Sequence, residues 1–165
     1  MMRIITRRRR RQLRPRRQKE EGSPMASTQD DDIRTVLAQT RRIAVLGIKT
    51  EQQADQPAFY VPQYLVEAGL DVVPVPVYYP EVTMILGRPV YRRLVDVPGR
   101  IDLVDVFRRA ADIAQHLDDM LAARPKAAWF QLGIRNDAVA ARLRAAGIAV
   151  VQDRCLMVEH RRYAA

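Results

Sequence analysis

The chain has 165 residues, 48% of them hydrophobic, a single cysteine and a formal charge of +9 at pH 7. This length accommodates one domain with an ordinary core and excludes a second of usual size. No apolar run approaches the roughly 20 residues that cross a bilayer, and Cys155 alone excludes an internal disulfide framework, so a reduced, cytoplasmic setting is expected.

The charge is concentrated at one end. Residues 1–24 hold 10 of the 28 Lys and Arg and 2 of the 19 Asp and Glu, which leaves the rest with 18 basic and 17 acidic residues. The arginines at 7–11, followed by Arg14, Arg16, Arg17 and Lys19, repel one another and have almost nothing to bury. Residues 1–27 are therefore expected to form a disordered tail. The tail lacks the apolar stretch of a secretory signal. Three origins stay open for it: translated sequence upstream of a start at Met25, an Arg-rich targeting peptide, or a basic arm that touches nucleic acid. The remainder, residues 28–165, is nearly neutral, so the domain itself is not expected to bind nucleic acid.

Regular structure begins at Ser27 or Thr28, either of which can cap a helix whose acidic first turn (Asp30, Asp31, Asp32) complements the helix dipole. Ile33, Val36, Leu37 and Thr40 then recur on one helical face. Residues 43–46 read as a buried strand that turns at Gly47, and 48–57 as a polar loop. A second helix is predicted to begin near Ala58 with Pro62 in its first turn, because proline has no amide proton to donate. Gly69 ends it. Residues 72–75 form a short strand whose prolines indicate a sheet edge. Residues 76–100 are irregular, punctuated by Pro80, Gly87, Pro89, Pro98 and Gly99, with a helical turn near Leu94. A third strand spans 101–107. Ile113, Leu117, Met120 and Leu121 mark an amphipathic helix that stops before Pro125. A fourth strand covers 127–130, and Asn136 caps a helix that presents Val139, Ala140 and Leu143 and stops at Gly147. A fifth strand at 148–151 is the last element predicted.

This alternation predicts an α/β, Rossmann-like, doubly wound parallel sheet of five strands in a single domain. The strands are continuous apolar runs, as required when both sheet faces are covered. Ligands of such sheets gather beyond the strand carboxyl ends, where the strand order reverses. A site is therefore expected among residues 47–50, 76–79, 107–109 and 131–134.

Gly47 permits close backbone approach, and Lys49 or Thr50 could reach a phosphate at a helix N-terminus. Gly47-Ile48-Lys49-Thr50 is neither G-x-G-x-x-G nor a P-loop, since the next glycine is Gly69. An ordinary strand-to-helix turn explains it equally well. Arg108 and Arg109 follow the third strand, where a guanidinium suits phosphate; one of the two is expected to be only a solvated charge. Asp105 sits in a strand that should be buried, where a carboxylate needs donors or its pKa rises. A structural role is expected for it. Asp153, Cys155 and His160 show no spacing that supports a triad. Cys155 reads as a small buried apolar side chain, and His116 as an exposed helix residue. No catalytic residue and no metal site is expected.

The order of these segments resembles the small bacterial CoA-binding proteins related to the CoA-binding domain of the succinyl-CoA synthetase alpha subunit. The resemblance is carried by Arg42-Ile43-Ala44-Val45-Leu46-Gly47 and by Gln56-Pro57-Ala58-Phe59-Tyr60-Val61-Pro62-Gln63-Tyr64-Leu65. It continues through Asp102-Leu103-Val104-Asp105-Val106-Phe107-Arg108 and Trp129-Phe130-Gln131-Leu132-Gly133-Ile134. The most distinctive stretch is Asp153-Arg154-Cys155-Leu156-Met157-Val158-Glu159-His160.

The resemblance implies coenzyme A or an acyl-CoA as ligand. Its pyrophosphate would lie at Gly47, Ile48, Lys49 and Thr50, within reach of Arg108 or Arg109, and its adenosine near the ends of the second and third strands, at Pro76, Val77 and Phe107. The pantetheine would pass Gln131, Gly133 and Ile134. One position departs: such relatives commonly read Pro-Val-Asn-Pro after the second strand, whereas this chain reads Pro74-Val75-Pro76-Val77, losing a side-chain amide. The synthetase phosphohistidine segment has no counterpart, so ligase activity is not expected. The implied role is a non-catalytic sensor, carrier or accessory domain, with a second copy or another protein as its partner. An NAD(P)-binding oxidoreductase-type domain is the alternative, weakened by the missing glycine fingerprint. A nucleic-acid-associated protein acting through the tail is the third.

Overall fold

In the computed structural model, which describes residues 29–163, the apolar runs become strands and the segments between them become helices. The predicted tail and its Ser27 or Thr28 cap lie outside the described residues. In chain order the elements begin with α1 (Gln29–Ala38), β1 (Arg42–Leu46), α2 (Pro57–Glu67) and β2 (Asp71–Val75). A hairpin of β3 (Met84–Ile85) and β4 (Arg88–Pro89) follows. Then come β5 (Leu103–Val106), α3 (Leu117–Ala123), β6 (Ala127–Phe130), α4 (Asp137–Ala145), β7 (Ala149–Val151) and α5 (Leu156–Tyr163).

The five longer-range strands form one sheet in the order β2-β1-β5-β6-β7, every pair parallel. The predicted doubly wound α/β sheet is therefore what the chain forms, and its strand order reverses at β1. Register divides the side chains cleanly. Ala44, Leu46, Val104, Val106, Ala128 and Phe130 face a core completed by Met120 of α3 and Leu143 of α4. Ile43, Val45, Leu103, Ala127 and Trp129 face a second core with Ile33 of α1, Leu65 of α2 and Leu156 of α5. Full burial of one such large aliphatic or aromatic side chain stabilises by about 1.5–3 kcal/mol, so both cores hold the sheet. Asp105 belongs by register to the second face, between Val45 and Trp129.

Several expectations change. Pro62 lies inside α2 rather than in its first turn, because the helix starts at Pro57. A mid-helix proline frees the carbonyl four residues earlier. That carbonyl, Ala58 O, instead accepts from Lys49 N at 3.0 Å, which ties the loop after β1 to α2. That loop also contains a 3-10 turn, Glu51–Gln53, closed by a reciprocal cap between Thr50 and Gln53. The irregular stretch contains the β3–β4 hairpin, whose two turn residues, Leu86 and Gly87, both have positive φ (53° and 68°). The predicted helix over 113–121 is a 3-10 segment, Ala110–His116, that passes into α3. The chain also has a helix, α5, after its fifth parallel strand; its Leu156 and Tyr163 pack on the second core.

Candidate functional site

At the reversal of strand order the loops after β1 and β5 are pressed together. Gly47 has φ of 85°, and a Cβ there would lie 2.3 Å from the Phe107 carbonyl oxygen and 3.2 Å from Arg108 Cδ. Only glycine fits this crossing. The contact is with the neighbouring strand, so the glycine is explained before any ligand is considered. Gly47 N donates to Val75 O at 2.9 Å, Lys49 N to Ala58 O at 3.0 Å, and Thr50 N to Gln53 Oε1 at 3.2 Å. Three of the four amides in this loop are thus already bonded within the protein. Thr50 Oγ1 is committed as well, to Gln53 Oε1 at 2.8 Å, and Ile48 is buried. What the loop offers outward is the Lys49 side chain, whose Nζ lies 5.4 Å and 5.8 Å from the ring centres of Tyr78 and Tyr79.

Beside this crossing opens a pocket of about 600 Å³. Its walls are the start of α2 (Gln56, Pro57, Ala58 and Tyr60), the turn after β5 (Phe107 to Ala110), the loop after β6 (Gln131 to Ile134) and Cys155. Its volume is typical of pockets for small organic ligands, roughly 300–1,000 Å³. Six of the twelve positions singled out in the sequence line it: Phe107, Arg108, Arg109, Gln131, Gly133 and Ile134. Gly47, Ile48, Lys49 and Thr50 lie beside it and not in its lining. Pro76 is buried and Val77 packs on the first core, and neither lines the pocket.

The two arginines differ sharply. The Arg108 side chain is 9% exposed, and that of Arg109 is 83% exposed. Arg109 Nε donates to Asp112 Oδ2 at 2.7 Å, as expected of a solvated charge at the head of a helical segment. Arg108 is held from several directions. Its Nε donates to His116 Nε2 at 3.1 Å, its Nη1 reaches Tyr78 Oη at 3.5 Å, and its Nη2 lies 3.8 Å from Asp112 Oδ2. This hydrogen bond and the positive charge of Arg108 lower the pKa of the Tyr78 hydroxyl. His116 is therefore half-buried and engaged, not an exposed helix residue as its sequence position indicated.

On the far wall, Gln131 is the organising side chain. Its Nε2 donates to Asp105 Oδ1 at 2.6 Å, and its Oε1 accepts from Leu156 N at 3.3 Å. It thus links β5, β6 and the first residue of α5. Asp105 is fully buried, and its Oδ2 has no hydrogen-bond partner among the described residues. Burial pushes its carboxyl up to about 7, against the opposing hydrogen bond from Gln131. The loop is also clamped from outside: Gly133 N donates to Asp153 Oδ1 at 2.7 Å, and Asp153 N to Ile134 O at 3.1 Å. Cys155 is half-buried on the pocket wall. His160 lies elsewhere, its Nδ1 2.8 Å from Tyr64 Oη. Among the described residues no group of His, Cys, Asp or Glu has the arrangement of a metal site.

Sequence reasoning did not single out Tyr60, Leu132 or His116 for the site. Tyr60 and Leu132 carried a signal, since each flanks a position already chosen or lies one turn into the following helix. His116 carried none, because its approach to Arg108 depends on the 3-10 geometry of residues 110–116.

A family model described as a CoA binding domain matches residues 41–161. The uncharacterized protein YneT of Bacillus subtilis (strain 168) is 29% identical over 129 residues, covering 78% of this chain and 92% of that protein. A solved structure from Thermus thermophilus is 41% identical with a TM-score of 0.73, covering 81% of this chain and 98% of that one. A hypothetical protein from Pyrococcus horikoshii OT3 is 32% identical with a TM-score of 0.74, over 88% of this chain and 99% of that one. With its matched segment running from just before β1 to within α5, this chain belongs to the CoA-binding domain family.

Proposed function

We propose that the pocket beside Gly47 binds coenzyme A or an acyl-CoA, and that the chain acts without catalysis as a cytoplasmic sensor, carrier or accessory domain. The observation that carries this reading is the largely buried Arg108 guanidinium on the wall of a ligand-sized pocket at the strand-order reversal. Phosphates would meet Lys49 and Arg108, which lie around the Tyr78 ring. Charge-assisted contacts suit this task because three of the loop amides are otherwise engaged. The adenosine side would lie toward Pro76 and Val77, where the family's asparagine is replaced. The pantetheine would run along the wall of Gln131, Gly133 and Ile134 and end near Cys155.

The absence of catalysis rests on where the reactive groups are. Cys155 faces the pocket, Asp153 is tied to Gly133 N, and His160 is turned to Tyr64, so the three do not converge. No helix among the described residues is long and apolar enough to cross a membrane. The test is thermal melting with CoA and, separately, with NAD. A ligand that binds only the folded state at a hundredfold excess over Kd stabilises by about 2.7 kcal/mol. CoA should raise the melting temperature and NAD should leave it near the unliganded value. An equal or larger shift with NAD would transfer the assignment to a dinucleotide site. Native mass spectrometry of the protein from its own host would then weigh the ligand it carries.

A further inference from the structure

Arginine can only donate hydrogen bonds, because every guanidinium nitrogen lone pair is delocalised and each N–H is a donor. The Arg108 Nε contact to His116 Nε2 at 3.1 Å therefore requires that this imidazole nitrogen be unprotonated. His116 must carry its single proton on Nδ1. Adding a second proton would remove the only acceptor that the described residues offer to Arg108 Nε and set two positive charges at that same distance.

From this contact we propose that His116 is a positioning residue for the pocket, its neutral imidazole holding the Arg108 guanidinium on the wall and releasing it on acidification. The inference rests on the reading of the pocket as an anion-bearing ligand site, and it adds a regulated element to it. The other restraints on Arg108 do not replace the imidazole. Tyr78 is an exposed side chain with its Oη 3.5 Å and its ring centre 5.6 Å from the guanidinium, and the Asp112 carboxylate, 3.8 Å from Arg108 Nη2, is held more closely by Arg109 at 2.7 Å. Arg108 Cδ lies beside the Gly47 turn, 3.2 Å from where a Cβ on that glycine would stand.

The charged and titratable groups around His116 are Arg108, Asp112, Asp119 and the Tyr78 hydroxyl beyond Arg108. Asp119 is engaged on its other side, its carboxylate accepting from Leu94 N at 2.7 Å and Val95 N at 3.2 Å and lying 3.9 Å from Arg93 Nε. Burial and the Arg108 charge hold the imidazole below its ordinary pKa, against the two carboxylates. The neutral form thus prevails at pH 7, and release of Arg108 belongs to the acid side of the usual histidine range.

The test is calorimetric titration of CoA at pH 8 and pH 5 into the parent chain, H116Q and H116L. The glutamine carbonyl is a neutral acceptor that does not titrate; leucine offers none. A hydrogen bond to a charged group contributes enough that H116L should bind roughly tenfold more weakly at pH 8. H116Q should recover most of that loss. Between pH 8 and pH 5 the parent should weaken more than H116Q, by up to the roughly tenfold that losing the contact costs at pH 8. The second ionisation of a phosphate monoester also falls near pH 6, but it is common to both proteins and cancels in their comparison. Parallel pH profiles for parent and H116Q would overturn the proposal. Nitrogen NMR of the unliganded chain supplies an arm that needs no CoA: the account requires the Nδ1–H tautomer of His116 at pH 8, and the Nε2–H tautomer would refute it. If the tautomer is as required and CoA does not bind the parent at pH 8, the ligand assignment fails while the positioning role of His116 stands.

Discussion

The loops that follow β1 and β6 both turn on a glycine with positive φ, 85° at Gly47 and 78° at Gly133, yet they are built in opposite ways. The first is wedged against its neighbour: a Cβ on Gly47 would overlap the Phe107 carbonyl, whereas one on Gly133 would meet nothing within 4 Å. The first loop uses its own amides internally and turns the Lys49 side chain outward. The second is held from beneath by Gln131 and from the side by Asp153, which leaves its outer surface as pocket wall. One loop therefore supplies charge from a rigid seat, and the other supplies shape from a polar anchorage. Glycine marks both in the sequence, but the physical demand differs.

The largest expected effect follows from that contrast. Gly47→Ala should cost about 2–5 kcal/mol, the sum of a left-handed backbone penalty and overpacking against a strand that cannot yield. Urea unfolding measures it, and a loss below about 1 kcal/mol would show that β1 and β5 can separate at no great cost. Gly133→Ala is the counterpart at an open site and should cost only roughly 1–2 kcal/mol, the backbone penalty alone. Equal losses at the two glycines would erase the distinction drawn between the loops.

Between these lies the anchorage of the second loop. The Asp105 carboxyl is raised from its ordinary value to about 7 in the fold, so the folded chain binds its proton more tightly than the unfolded chain does. Stability from this group is greatest below about pH 4 and falls as pH rises toward 7. At 1.36 kcal/mol per pKa unit the fall is on the order of 4 kcal/mol. Asp105→Asn keeps an oxygen acceptor for Gln131 and removes the titration. The variant should therefore lose the downward slope between pH 4 and pH 7 and be the more stable protein at pH 8. A slope unchanged by the substitution would place the responsible group elsewhere.

Much of this architecture is legible in the residues. The strands announce themselves as continuous apolar runs, and Asn136 as a cap is seen accepting from Val139 N at 3.0 Å. Elements whose stability comes from a distant partner are harder to see. Pro62 sits in mid-helix because Lys49 satisfies the carbonyl it frees. The β3–β4 hairpin turns at Leu86, a residue that rarely adopts positive φ, with its amide held by Glu51 Oε1 at 2.8 Å. Helix α5 is rich in charge, and its Leu156, Met157, His160 and Tyr163 spacing went unread beside Glu159, Arg161 and Arg162. Its buried Glu159 is compensated by Arg154 and Arg162, at 4.0 Å and 3.9 Å. At the site, sequence placed Arg108 and Arg109 in the turn after the third long strand, and both line the pocket. It could not separate them, because adjacent residues at a strand end point to different environments only once the neighbouring loop is in place.

The central claim is that the buried member of that arginine pair, together with Lys49, recognises ligand phosphate, and calorimetric titration of CoA at pH 8 tests it most directly. Arg108→Ala and Lys49→Ala should each weaken binding about ten- to hundredfold, as the loss of a charge-assisted contact of roughly 1.5–3 kcal/mol requires. Arg161→Ala removes the same charge from an exposed position over the Tyr64 ring and should bind within about twofold of the parent. Arg108→Ala binding CoA as tightly as the parent, with the fold intact by melting, would contradict the account.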